Sequence, residues 1–365
     1  MKKRTTDLIL NKLHKGKFPP GGTSLLLLLL FLAGCGGETT ETQFSFQTMG
    51  TEASSRLFLP GSLPPNEAEE IVRSSFAEVN TALSTWSKDS EISRLSRAPA
   101  DSAFSVSPLM QACLQKSRQL YEQSGGAFDP TAESLMRLWG FYRRKGVLPG
   151  QAALDSAMAD LGQWRMEDNP ARVIKEKPGT RFDLGGIAKG LAVDLALERL
   201  LKKGVRDGLI DLGGNLYCLG GAPGREDWRV GIRNPRNRDE LFATVTVSGA
   251  SVATSGSYER FVMIDGHRFG HIMNPATGRP AEGLLSATVI ASEGILADGL
   301  STTLFVLGPE KAMEFLREYY PQVDVVLVVA GEEGQKDIVM ATAGLRGCLM
   351  LLPGFEESCR VVYTD

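Results

Sequence analysis

Apolar residues recur at helical spacing in the first half of the chain and at strand spacing in the second half. The helical pattern predicts amphipathic helices over residues 66–84, 107–125 and 187–201. Asn66 is predicted to cap the first of these helices. Ser107 and Pro108 mark the start of the second, because a proline at the first helical position gives up no hydrogen bond.

From about residue 208 onwards, short alternating or continuous apolar runs predict strands. These strands cover residues 208–212, 241–248, 285–291 and 323–330. Asp265-Gly266 is a two-residue hairpin signal, and it separates a strand over 261–264 from one that starts at 267. Two more helices are predicted over 295–307 and 309–319. This mixed order predicts an α+β fold, with a largely antiparallel sheet core and flanking helices.

The N-terminus has the pattern of a bacterial lipoprotein signal. A basic flank leads into the apolar run 25–33, which is shorter than the roughly 20 residues that a membrane-spanning helix needs. The run ends in Leu32-Ala33-Gly34-Cys35, which resembles a lipobox. An ordinary signal peptide and a buried helix are the alternatives. We expect a signal peptide over 1–34, lipidation of Cys35, a tether over 35–43 and a folded domain over 44–365, anchored in the cell envelope and facing the periplasm.

The charge and the cysteine content limit which classes of partner and metal site are expected for this chain. The chain has 365 residues and a formal net charge of −3, which becomes −8 once the six basic residues and one acidic residue of 1–34 are removed. Without a basic surplus, nucleic acid is not an expected partner. The five cysteines form no CxxC pair, so a zinc site is not predicted. Cys113 is expected to be a buried free thiol, whereas Cys348 and Cys359 could pair or remain free.

Several short runs are richer in Gly, Asp and Thr than a core requires, although each alone also fits an ordinary turn. They cover residues 126–131, 183–190, 211–215, 253–258, 271–278 and 297–303. Run 183–190 leads into a predicted helix, where backbone N–H groups favour an anion. It is not a Walker A loop, because Lys189 is followed by glycine rather than by Ser or Thr. The alternative is a tight turn that packs the helix onto the sheet.

Asp298 and Thr302 are four residues apart on a predicted helix, so their oxygens point to the same side. A carboxylate, a hydroxyl and a backbone carbonyl form the hard oxygen site that Mg²⁺ prefers. The alternative is a solvated Asp and a packed Thr.

Taken in order, these runs resemble the ApbE-type FAD:protein FMN transferase family. The resemblance extends from residue 48 to about residue 307, and its further motifs are Thr48–Thr51, Leu83–Trp86, Ser90–Ser93 and Leu138–Phe141. It implies an α+β, T-fold-like architecture and Mg²⁺-dependent transfer of FMN from FAD to a Thr or Ser hydroxyl of another protein, with release of AMP. It also implies acceptors such as membrane redox subunits of the Rnf or Nqr type. A lipobox fits, since many members are periplasmic lipoproteins.

The resemblance also implies roles for individual residues. His271, one of two histidines after residue 34, corresponds to a general base for the acceptor hydroxyl. It could instead bind a phosphate or stabilise its loop, in which case Asp129 or Asp183 is the next candidate base. The implied metal ligands are the Ala188 carbonyl, the Asp298 carboxylate and the Thr302 hydroxyl, with Ser301. The implied FAD contacts are Met49, Trp86, Ala127, Phe128, Asp129, Gly185, Leu191 and Ile272.

The chain departs from the family pattern in two motifs. Asn274 stands where members usually carry Asp, which removes a carboxylate near the predicted base. Gly299 and Ser301 stand where members usually carry Ala. Two other functions use the same residues: a Mg²⁺-dependent FAD pyrophosphatase, and a lipoprotein that binds FAD without catalysis.

Overall fold

The structure is a computed structural model that describes residues 39–143, 145–332 and 334–364. Its α-helices are α1 Pro65–Leu83, α2 Glu91–Arg97, α3 Pro108–Gln123, α4 Glu133–Leu138, α5 Gln151–Met158, α6 Ala188–Lys202, α7 Gly294–Leu307 and α8 Pro309–Tyr319. Short 3₁₀ turns cover Phe141–Arg143 and Ala343–Leu345. The strands are β1 Thr40–Thr48, β2 Thr51–Leu59, β3 Phe104–Ser105, β4 Trp164–Asp168, β5 Ala171–Lys175, β6 Asp207–Leu212, β7 Asn215–Leu219, β8 Trp228–Asn234, β9 Asn237–Val247, β10 Ala250–Gly256, β11 Phe261–Ile264, β12 His267–Gly270, β13 Met273–Asn274, β14 Arg279–Pro280, β15 Ser286–Ala291, β16 Asp324–Val329, β17 Asp337–Thr342, β18 Leu349–Leu351 and β19 Cys359–Thr364.

A nine-stranded sheet forms the centre of the fold, in the order β1-β2-β6-β7-β10-β15-β16-β17-β19. Its neighbouring strands are antiparallel except for β17 and β19, which are parallel. The predicted α+β fold with a largely antiparallel sheet is therefore confirmed. The predicted hairpin around Asp265-Gly266 is confirmed as β11 and β12, and both of its turn residues have positive φ, as a type I′ turn requires.

The sheet separates two hydrophobic cores. On β16, Val325 and Leu327 join the core beneath the helices. Their neighbours Val326 and Val328 face the opposite way, into a second core shared with the three-stranded sheet β18-β9-β8. A strand buried on both faces has a continuous apolar run rather than an alternating one, which is why residues 323–330 have that pattern.

Local sequence signals predicted the start of α3 correctly but not the cap of α1. Helix α3 begins at Pro108 as predicted, and the Ser107 hydroxyl caps it by accepting a hydrogen bond from the N–H of Met110 (3.3 Å). The prediction that Asn66 caps α1 is wrong. Helix α1 begins at Pro65, with Pro64 in the cap position and no side-chain cap bond, so Asn66 lies inside the first turn. The fixed φ of Pro65 suits this start.

Strand β1 begins at Thr40, within the segment 35–43 that was predicted as a tether. Strand β1 pairs with β2 along its whole length, and its first pair is Thr40 with Leu59. The predicted lipidation site, Cys35, lies outside the described residues. Within them, no helix is long and apolar enough to cross a membrane. Cys113 is a buried free thiol as predicted, and Cys348 and Cys359 are also free.

Candidate active site

The first turn of α6 meets α7 at the buried carboxylate of Asp298. Its Oδ2 accepts a hydrogen bond from the backbone N–H of Gly190 (2.9 Å), and the ammonium group of Lys189 lies 3.4 Å from its Oδ1. The packing of α6 against α7 thus joins two of the glycine-rich runs, 183–190 and 297–303. A buried carboxylate needs such partners, because its desolvation is costly.

Asn215, the first residue of β7, completes this group. With its amide nitrogen facing the carboxylate, Asn215 donates to Asp298 Oδ1 (2.9 Å), and its amide oxygen accepts from Lys189 Nζ (2.8 Å). Asn215 and Lys189 lie within two of the glycine-rich runs, but neither was predicted to be a site residue. The signal that could have found them is a buried Asn at a strand start and a Lys in the first turn of a helix.

Hydroxyl groups lie one turn further along α7. Ser301 donates to the backbone carbonyl of Asp298 (2.8 Å) and lies 2.8 Å from the Ser255 hydroxyl on β10. Thr302 Oγ1 is 3.4 Å from both the Gly186 carbonyl oxygen and the Ser255 hydroxyl. Ser301 is fully buried, whereas Thr302 is half-buried beside the glycine-rich turn that precedes α6.

The glycine-rich turn before α6 can approach Thr302 because Gly186 has no side chain. A Cβ atom on Gly186 would lie 3.1 Å from Thr302 Oγ1 and 3.5 Å from a ring carbon of Phe128. Phe128 is buried behind the turn. The neighbouring Asp129 accepts from the N–H of Thr131 (2.8 Å), and burial raises its pKa.

Two aromatic side chains, Tyr142 and Trp86, lie near Asp183 in the glycine-rich turn. Asp183 accepts from the N–H of Gly185 (2.7 Å) and from the Tyr142 hydroxyl (2.7 Å). The Tyr142 ring lies 5.0 Å from that of Trp86, whose side chain is 60% exposed. Trp86, rather than the buried Phe128, therefore presents an open ring face near the glycine-rich turn. Flavin and adenine rings stack on such faces.

His271 is held by the backbone of Arg260. The His271 N–H donates to the Arg260 carbonyl oxygen (3.1 Å), and the ring Nδ1 lies 3.2 Å from the same oxygen. A carbonyl only accepts, so Nδ1 carries the ring proton and Nε2 can accept one. Burial, then the positive charges of Arg260 and Lys189, lower the pKa of His271 to about 4. Although part of its surface reaches solvent, the ring is surrounded closely enough by protein to be neutral at pH 7.

The remaining predicted contacts are more dispersed. Met49 occupies the β1–β2 turn, and a Cβ on the adjacent Gly50 would lie 3.3 Å from the Arg260 guanidinium. Ala127 and Leu191 are half-buried against the helix-side core, and Ile272 is buried. The side chain of Asn274 accepts from the Ala276 N–H (3.0 Å), a local turn bond.

The available donors fit a hard cation rather than a soft one. Within the described residues, no cluster of three or more His, Cys, Asp or Glu side chains could hold a metal. Asp298 and the Thr302 hydroxyl instead offer only oxygen donors. The Asp298 carboxylate already pairs with one cation, the ammonium group of Lys189. Such a set suits Mg²⁺ completed by substrate phosphates.

The fold is α+β, and its site combines a lysine, a glycine-rich turn and an exposed aromatic ring, which are features suited to a phosphate-bearing ligand with a planar ring. The sequence model of the ApbE family matches residues 49–327, so the chain belongs to the ApbE family.

Named relatives agree with this assignment. The chain is 31% identical to the FAD:protein FMN transferase of Vibrio cholerae serotype O1, with 86% of this chain and 94% of that protein covered. It is 31% identical to the FAD:protein FMN transferase of Treponema pallidum, with 88% and 92% covered. The apo crystal structure of the Pseudomonas stutzeri flavinyl transferase ApbE superimposes with a TM-score of 0.75 at 30% identity, covering 85% of this chain and 97% of that one.

Proposed function

We propose that this chain transfers FMN from FAD to a Thr or Ser hydroxyl of a target flavoprotein and releases AMP. The observation that carries the proposal is the buried Asp298, held against Lys189 and the first turn of α6 in a chain whose relatives are FAD:protein FMN transferases. A lysine beside a glycine-rich turn, where the backbone can approach closely, suits the charge of a pyrophosphate.

In the proposed reaction, the acceptor oxygen forms a bond to the FMN phosphorus, and the bond from that phosphorus to the AMP oxygen breaks. His271 Nε2 takes the hydroxyl proton, since its Nδ1 is already bonded to the Arg260 carbonyl. Lys189 neutralises negative charge on the phosphates once it leaves Asp298. Asp298, Thr302 and the Ala188 carbonyl, with Ser301, would hold Mg²⁺, and bound Mg²⁺ would further neutralise the pyrophosphate.

FAD would lie across the loops that surround the first turn of α6. Trp86 offers an exposed ring face for stacking. Met49, Ala127, Phe128, Asp129, Gly185, Leu191 and Ile272 are proposed to complete the pocket. Phe128 would act from behind the glycine-rich turn, because its ring is buried.

We also propose that the chain is anchored in a membrane of the cell envelope by acyl groups on Cys35 and faces the periplasm. The basic flank, apolar run and lipobox-like end of residues 1–35 support this location. An anchored enzyme would meet membrane redox subunits of the Rnf or Nqr type, which are the proposed acceptors.

A product assay tests the proposal. The purified enzyme is incubated with FAD and Mg²⁺, with and without an acceptor domain, and the flavin products are separated. Covalent flavin on the acceptor with one AMP per transfer is the expected result. Free FMN and AMP in both samples would indicate a pyrophosphatase instead, and unchanged FAD would indicate binding without catalysis.

A further inference from the structure

Helices α6 and α7 are joined by three reciprocal hydrogen bonds, in which an aspartate of each helix accepts from backbone N–H groups of the other. Asp298 of α7 accepts from the N–H of Gly190 on α6 (2.9 Å). In return, Asp194 of α6 accepts from the N–H groups of Gly294 (2.6 Å) and Ile295 (2.8 Å) on α7. On both helices the glycine precedes the aspartate by one turn. We call Gly190, Asp194, Gly294 and Asp298 the α6–α7 clamp.

The two glycines allow the helix backbones to touch. A Cβ on Gly190 would lie 2.0 Å from the Gly294 carbonyl oxygen, and a Cβ on Gly294 would lie 2.6 Å from the Gly190 carbonyl oxygen. Real Cβ atoms do not approach backbone oxygens so closely. The clamp therefore fixes how far α7 stands from α6.

Asp194 supplies the N-terminal cap that α7 lacks. The first N–H groups of a helix have no acceptor within it, and the side chain of the local cap residue Glu293 accepts from none of them. Both oxygens of Asp194 accept from these groups, and a carboxylate at this end of a helix also interacts favourably with the helix dipole. Burial raises the pKa of Asp194 to about 6, so the group is ionised at neutral pH.

We propose that Asp194 is a positioning residue for the transfer reaction: by capping α7 from α6, it sets Asp298 and Thr302 against Lys189 and the glycine-rich turn. This inference rests on the proposed function. Asp194 makes no contact with the site oxygens itself, and it acts through the placement of α7. Asp298 lies one turn from the capped end, so a displacement of α7 moves its carboxylate directly.

The test compares Asp194→Asn with Ser107→Ala, which removes an ordinary cap from α3. Both variants lose a cap and are expected to melt at a lower temperature than the wild type. Mg²⁺ binding is measured by calorimetry without FAD or acceptor, and flavin transfer is measured at saturating FAD. Asp194→Asn is expected to bind Mg²⁺ at least tenfold more weakly and to lose at least tenfold in kcat. Ser107→Ala is expected to change neither by more than twofold.

If Asp194→Asn matches the wild type in Mg²⁺ affinity and kcat, the inference is overturned even where its melting temperature falls. A wild type that transfers no flavin would refute the proposed function, while the calorimetry would still decide the role of Asp194. Should Asp194→Asn not fold, Asp194→Ser retains one acceptor and repeats both measurements. If neither variant folds, amide exchange at Gly294 and Ile295 in the wild type decides: Mg²⁺ should slow it, and unchanged exchange would contradict the inference.

Discussion

A single backbone carbonyl, that of Arg260, determines which ring nitrogen of His271 carries the proton. The Arg260 oxygen accepts from both the amide and the ring of His271, so the ring is held in one tautomer with Nε2 open. The departure at Asn274 matters little for this arrangement, because the Asn274 side chain bonds to the Ala276 N–H within its own turn.

Replacement of the proposed base should reduce turnover rather than binding. His271→Ala is expected to lower single-turnover transfer by about 10²–10⁴-fold, which is the usual contribution of a general base, and to leave FAD affinity unchanged. His267→Ala is the matched control, since His267 lies beside the β11–β12 turn, and it should retain the wild-type rate. Weakened FAD binding in His271→Ala with a normal rate would move the base elsewhere, with Asp129 or Asp183 next.

The depressed pKa of His271 also predicts a stability effect. The unfolded chain protonates this imidazole near pH 6.5, whereas the folded protein does so only near pH 4. Between these values the unfolded state binds more protons, so the free energy of unfolding falls as the pH is lowered from about 6.5 towards 4. In urea titrations at pH 7.5 and 5, His271→Ala should lose less stability than the wild type. Equal losses would show that His271 ionises normally.

Helix α7 is buried on almost every side, and Gly299 matches that environment. A Cβ on Gly299 would lie 2.5 Å from Leu120 Cδ1 on α3 and 3.1 Å from Ile187 Cδ1. Leu120 and Ile187 thus fill the space that a side chain at position 299 would occupy, and a glycine there leaves the oxygen groups of α7 in place.

The packing of position 299 against Leu120 can be measured with a double-mutant cycle. Gly299→Ala gains about 1 kcal/mol of helix propensity but overpacks the core, which typically costs about 1–3 kcal/mol, so a net loss of stability is expected. Leu120→Val removes the Cδ atoms that would clash. The double variant should therefore be more stable than the sum of the single changes, by roughly 0.5–3 kcal/mol. Simple additivity in chemical denaturation would contradict this packing account.

At the scale of elements, the sequence predicted what is encoded locally. The Ser107-Pro108 start of α3 and the Asp265-Gly266 hairpin follow from a few adjacent residues. The cap at Asn66 failed because α1 begins at Pro65, which places its cap position at Pro64, two residues earlier. The partners Lys189, Asn215 and Asp194 were not assigned, because each meets α7 across a separation of about 80 residues or more that no local pattern specifies.

At the scale of the whole molecule, the nine-stranded sheet separates the two hydrophobic cores, and the candidate site lies on the side of the sheet that the helices cover. Sequence patterns indicated that the sheet would be mainly antiparallel, but the strand order depends on long-range pairings such as β2 with β6 and β7 with β10. The ApbE motifs linked these distant segments through resemblance, which periodicity alone could not do.

Anchoring at Cys35 is also a prediction at this scale. Cys35→Ser should leave an unprocessed precursor that retains its signal segment and takes up no labelled fatty acid, because the lipidated thiol is gone. Metabolic labelling of wild type and variant checks this. Cys113→Ser is the control and should be labelled like the wild type, since that buried thiol lies in the folded domain. Equal labelling of Cys35→Ser would place the anchor elsewhere.

The most direct measurement is co-expression of this chain with a membrane redox subunit of the Rnf or Nqr type, followed by in-gel flavin fluorescence. The wild type should give a fluorescent acceptor band that disappears when the acceptor threonine is replaced by valine. Asp298→Asn retains an acceptor for the Gly190 N–H but loses the buried charge, so it should lower labelling by roughly 10²–10³-fold. An unlabelled acceptor beside folded wild-type enzyme, or equal labelling by Asp298→Asn, would contradict the account.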